Sequence, residues 1–131
     1  MRKKWLAAGA LMALAACVMA AEIDFSDFDD ALMQSMDDAI KELDSNVGGR
    51  DAKASLANAE VLREGFAWAE KYFAAKPQAP HGEGFARDGK QHLELVIRSI
   101  EANDFDAASS GVRAVVRSCK ACHEVYKPPE L

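Results

Sequence analysis

Residues 105–127 read FDAASSGVRAVVRSCKACHEVYK, and the spacing of their apolar positions decides what kind of chain this is. Phe105, Ala108, Val112, Val115, Val116, Cys119, Cys122 and Tyr126 recur three and four residues apart. That is the period of one buried helix face, not the alternation of a strand. Pro128-Pro129 closes the segment, because proline has no amide to donate and clashes with the preceding turn.

Toward the N-terminus the same period appears three more times. Asn103-Asp104 makes a turn, and before it lies a helical stretch at about 85–102 with Leu93, Val96, Ile97 and Ile100 apolar. The run KPQAPHGEG, residues 76–84, reads as a loop. A helix at about 51–75 precedes it, with Leu56, Ala59, Leu62, Phe66 and Phe73 on one side and Val61, Trp68 and Tyr72 widening the buried face. Lys76-Pro77 stops that helix, since the residue before proline is pushed out of the α region. The first helix is predicted over about 27–45, with Ser26 as N-cap and Asp29 completing a capping-box-like pair. Its stripe is Leu32, Met33, Met36, Ile40, Leu43 and Val47, and Gly48-Gly49 ends it. Four helices with short links predict an all-α fold, an antiparallel up-down-up-down four-helix bundle. Gly65 inside the second helix costs about 1 kcal/mol against alanine. Its presence points to a close helix contact or to room for a ligand.

The 131 residues allow one domain, and with 50% hydrophobic and 28% charged residues the composition is globular rather than disordered. Twenty-one acids against 16 bases give a formal charge of −5, which argues against a general nucleic-acid binder. The three cysteines are Cys17, Cys119 and Cys122, too few for a disulfide framework.

Residues 1–21, MRKKWLAAGALMALAACVMAA, read as a signal peptide: Arg2, Lys3 and Lys4 precede an apolar stretch from Trp5 to Ala16. The stretch is too short to span a bilayer, which takes about 20 residues. Two cleavage routes stand open. One cuts after the small residues Ala20 or Ala21, and the other cuts before Cys17, because Leu14-Ala15-Ala16-Cys17 resembles the lipobox of bacterial lipoproteins. Either route exports residues 22–131, and a lipid on Cys17 is the one membrane attachment expected. Loss of 1–21 removes three bases and no acid, which moves the charge from −5 to −8. Such a surface favours a basic or mixed partner.

Cys119-Lys120-Ala121-Cys122-His123 carries the chemistry. Cys-x-x-Cys-His is the attachment sequence of c-type haem. On a helix, positions three and four apart lie about 5–6 Å from one another on one face. The two thiols can therefore form thioethers to the haem vinyl groups while the imidazole takes the iron. A thioredoxin-like redox pair would want a βαβ surround and a cysteine at a helix N-terminus. A structural zinc site would want a second pair of ligands, which this chain lacks. A helical bundle with incidental cysteines would need no haem at all.

The motif lies near the C-terminus and continues Glu124-Val125-Tyr126-Lys127. This resembles the class II cytochromes c, the cytochrome c prime family, in which Cys-x-x-Cys-His-x-x-Tyr followed by Arg or Lys sits on the last helix. The run Met33, Met36, Asp37, Asp38, continued by Ile40 and Leu43, also resembles the first helix of the periplasmic b-type four-helix cytochrome. These resemblances imply a periplasmic monohaem carrier of single electrons, with haem c on Cys119 and Cys122, His123 as one iron ligand and Met33 as the other. Met36 stands second for that role, and an open position third. A His/Met pair raises the reduction potential. An open position would imply cytochrome c prime-like binding of NO or CO. Members of that family usually carry an arginine one turn before the distal residue, whereas this chain has no Arg or Lys between Lys4 and Lys41. Pairing through the first two helices is common in the family, so a homodimer is also open.

His81 and His92 read as surface residues, having no partner at ligand spacing. Arg113, Arg117 and Lys127 are candidates to pair with a haem propionate, Lys127 being favoured by the family pattern. Trp68 and Tyr72 read as core. Asp24, Asp27, Asp29 and Asp30 suit a helix N-terminus or the docking of a basic partner. No nucleophile triad, phosphate loop or paired-carboxylate site is present in the sequence, and nothing argues for an enzyme.

Overall fold

Asp29, Asp51 and Asp104 start three of the helices. Their carboxylates accept hydrogen bonds from the amides of Leu32, Ala54 and Ala107, at 2.9, 3.0 and 2.9 Å. Each satisfies an amide that the first helical turn would otherwise leave unpaired. The computed structural model describes residues 23–126. The leader with Cys17, and the tail from Lys127 with Pro128-Pro129, lie outside the described residues. The helices are α1 (Asp30–Gly48), α2 (Ala52–Ala74), α3 (Gly82–Glu101) and α4 (Phe105–Val125). Among the described residues there is no strand.

Two of the links are built alike. After α1, Arg50 takes a left-handed backbone (φ 58°), and after α3, Asn103 does the same (φ 57°). The amides of Arg50 and Asp51 bond back to Val47 and Asn46, and those of Asn103 and Asp104 to Ile100 and Ser99. This is the Schellman closure, which pairs the last carbonyls of a helix. The next residue, aspartate, caps the following helix, so each chain reversal takes three residues. The result is the expected four-helix bundle: α1 packs on α2, α2 on α3, α3 on α4, and α4 returns to α1. The α1–α4 seam is the least closely packed of the four.

Several boundaries differ from the sequence reading. Ser26 caps no helix; its amide donates to Asp24, and α1 begins four residues later behind Asp29. Helix α1 runs through Gly48, and the left-handed residue that ends it is Arg50 rather than a glycine. Helix α3 starts inside the expected loop, at Gly82. Val61 does not widen the buried face of α2, being 39% exposed.

Leu43, Val47, Leu62, Leu93, Val96, Val112 and Val115 are fully enclosed and fill the middle and the far end of the bundle. Each such side chain contributes about 1.5–3 kcal/mol by leaving water. At the other end the core is aromatic. Phe25 and Phe28, from the strap of residues 23–29 that precedes α1, pack with Trp68, Tyr72, Phe73, Phe85 and Tyr126. Glycines let these rings approach α3: a β-carbon on Gly82 would lie 2.1 Å from the Phe73 ring, and one on Gly89 would lie 2.4 Å from Phe66.

Candidate functional site

The aromatic end is not solid. A cavity of about 860 Å³ opens there, walled by the strap, the start of α1, the ends of α2 and α4, and the start of α3. Phe25, Phe28, Ile40, Phe66, Phe73 and Phe85 make its lining largely apolar. Cys119, Cys122 and His123 border it from α4, and Met33 and Met36 from α1. All four sequence-predicted site residues, with the second-choice methionine, thus meet at one cavity.

The helical register explains the α4 side. Cys119 and Cys122 continue the apolar stripe of Val112 and Val115 beyond the point where the core stops, and both are half-buried. His123, one position on, is exposed at the cavity edge. The two cysteines are free thiols. Burial pushes the Cys119 thiol above its ordinary range, and burial with the neighbouring Cys119 pushes Cys122 up to about 11. A redox-exchange pair needs the opposite shift, toward the thiolate. Among the described residues, no group of three or more His, Cys, Asp and Glu side chains gathers to hold a bare metal ion.

On the α1 side the two methionines differ. Met33 is half-buried. Met36 is 6% exposed and is drawn toward α2, where its thioether fills the space beside Gly65. Gly65 therefore serves a close helix contact, and the group it admits is a sulfur side chain that also borders the cavity.

Acidic Asp24, Asp30 and Asp37 line the cavity, with Lys120 as the base among its lining residues. Hydrogen bonding from the Ser26 amide holds the Asp24 carboxyl below the usual carboxylate range. Sequence reasoning missed Lys120, although its place between the two cysteines was the available signal. It proposed Arg113 and Arg117 instead; Arg113 bonds to Ser109 and Ser110 on its own helix, and neither arginine borders the cavity. Lys127 lies outside the described residues. His81 is exposed and His92 half-buried, and neither borders the cavity.

Trp68 stacks on Tyr72 with ring centres 5.2 Å apart, and Phe28 stands edge-on to both. The Tyr72 hydroxyl and the Lys76 ammonium both donate to Asp27, at 2.6 and 2.8 Å. Lys76 also lies over the Phe25 and Tyr72 rings. This latch holds the strap against α2 as one wall of the cavity.

No family model matches the chain, and comparison with curated proteins and with solved structures found no match. No helix among the described residues is long and apolar enough to cross a membrane.

Proposed function

We propose that this chain is an exported monohaem c-type cytochrome that passes single electrons between redox partners in the periplasm. Haem would be held by thioethers from Cys119 and Cys122, with His123 and Met33 as the ligands to its iron. One observation supports this reading most: two thiols and an imidazole at attachment spacing share an apolar cavity with a thioether from the neighbouring helix α1. The cavity's donor set fits the group, being soft sulfur and imidazole in a slot walled by aromatic rings. Haem bound there supplies a one-electron iron couple.

The chain's own residues do the rest. Cys119 and Cys122 would anchor the macrocycle to α4, and His123 and Met33, from α4 and α1, would hold its metal. The strap, through Phe25 and Phe28, keeps water from one side of the slot. Lys120 offers an ammonium to a propionate. Two protein ligands also keep small molecules off the metal, which separates this reading from binding of NO or CO. The acidic surface favours a basic or mixed docking partner.

A pyridine haemochrome spectrum of the exported protein, co-produced with a haem-ligation apparatus, tests the proposal. Thioether-linked haem at one per chain is the expected result; a colourless protein would overturn it.

A further inference from the structure

Two thioethers one helical turn apart, Met33 and Met36, border the same cavity, yet the haem of the proposed function takes one. We propose that Gly65 selects between them by seating the Met36 thioether against α2, at the cavity's wall rather than in its open volume; the inference rests on that haem reading. The two methionines are three residues apart, on neighbouring positions of one α1 face. What separates them is the wall behind. Gly65 lies on α2 directly behind Met36, and a β-carbon there would stand 2.3 Å from the Met36 sulfur, 2.5 Å from its Cγ and 2.9 Å from its Cε. The thioether thus occupies the volume that any side chain other than hydrogen would claim.

Met36 is otherwise enclosed, at 6% exposure, so solvent is not its alternative. The open volume that it borders is the cavity. Methionine is unbranched and flexible, so displacing its end is easier than moving a backbone. A methyl at position 65 therefore sends the Met36 thioether into the haem slot. Gly65 is in this sense a positioning residue: it is not among the residues that line the cavity, and it decides which sulfur is free to ligate.

The test uses the haem-loaded protein and three variants, read by the oxidised visible spectrum, the sulfur–iron charge-transfer band and binding of CO to the reduced form. Met33→Ala is expected to be high-spin and to bind CO. Met33→Ala/Gly65→Ala is expected to regain the low-spin spectrum and the charge-transfer band and to lose CO binding, because Met36 is now delivered. Adding Met36→Leu to that pair should abolish the regain while preserving the methyl at position 65, which separates ligation from mere repacking. A double variant that stays high-spin overturns the proposal, as does a Met33→Ala single variant that already recruits Met36. Each variant is first checked for thioether-linked haem by pyridine haemochrome. Absence of haem from the parent protein strikes the proposed function itself, whereas a haem-bearing double variant without the regain strikes the role of Gly65 alone.

Discussion

Tyr72 donates a 2.6 Å hydrogen bond to Asp27, tying the strap ahead of α1 to the last turns of α2 across 45 residues of chain. Lys76 donates to the same carboxylate at 2.8 Å. Donation from Lys76, then from Tyr72, holds the Asp27 carboxyl below its usual range. Asp27 in turn, with Tyr72, raises the Lys76 ammonium.

The latch should therefore have a pH window. A lowered carboxylate pKa contributes stability that is complete above the ordinary value and fades as pH falls through the lowered one. A raised ammonium pKa contributes below its ordinary value, about 10.4, and fades as pH rises beyond it. Fluorescence of Trp68, which Phe28 contacts edge-on, reports the strap in a chain beginning at Glu22. Asp27→Asn should remove most of the acid-side change while far-UV circular dichroism keeps its helical signal. An unaltered acid limb in that variant would assign the change to another group.

Met33→Ala should convert the oxidised protein from low-spin to high-spin almost completely and lower the reduction potential, because a thioether ligand favours the reduced iron. Visible spectroscopy and a redox titration check both. A low-spin spectrum that survives the substitution would move the ligand to Met36 or to a histidine.

Glycines in α3 should respond in opposite directions. Nothing lies within 4 Å of a β-carbon added at Gly84, so Gly84→Ala should stabilise the fold by about 0.5–1 kcal/mol through the unfolded chain. At Gly89 the same methyl meets Phe66 at 2.4 Å, and Gly89→Ala should cost about 1–3 kcal/mol. Urea denaturation of the two variants gives both signs.

Tyr126→Phe should cost about 1 kcal/mol. Its hydroxyl accepts a 3.1 Å bond from the His81 amide, fixing the loop before α3 to the end of α4. The ring stays in place against Phe73, so haem content should be unchanged. A loss of haem with this variant would show that the hydroxyl acts on the cavity.

Helix count, order and inward faces were legible because burial imposes its period on the sequence; Leu43, Leu62, Leu93, Val96 and Val112 all lie where that period put them. The start of α1 was not. Ser26 and Asp29 are both good caps, and local chemistry does not choose between them. Phe25 and Phe28 choose, since their places against Phe73, Tyr126 and Trp68 hold residues 23–29 out of the helix. At the candidate site, the grouping of Cys119, Cys122 and His123 on α4 could be read from spacing and that of Met33 with Met36 from the α1 stripe, while the choice of Met33 between them rests on a resemblance. Lys120 was within reach of the same spacing argument, but the strap was not, because tertiary packing brings it to the cavity. Gly65 advertised itself as a helix-interior glycine, but the sequence did not say that a thioether fills the gap.

Because α1 is fastened to α4 more loosely than any other neighbouring pair, a rigid plate bonded to one and ligated by the other would rivet the bundle shut. Cofactor loading would then be a folding event as much as an electronic one, with a higher melting temperature for the loaded chain than for the bare one. The attachment that tunes the metal would also be the ring-closing clasp of the scaffold, so a cell that fails to load the chain would be left with its least durable form.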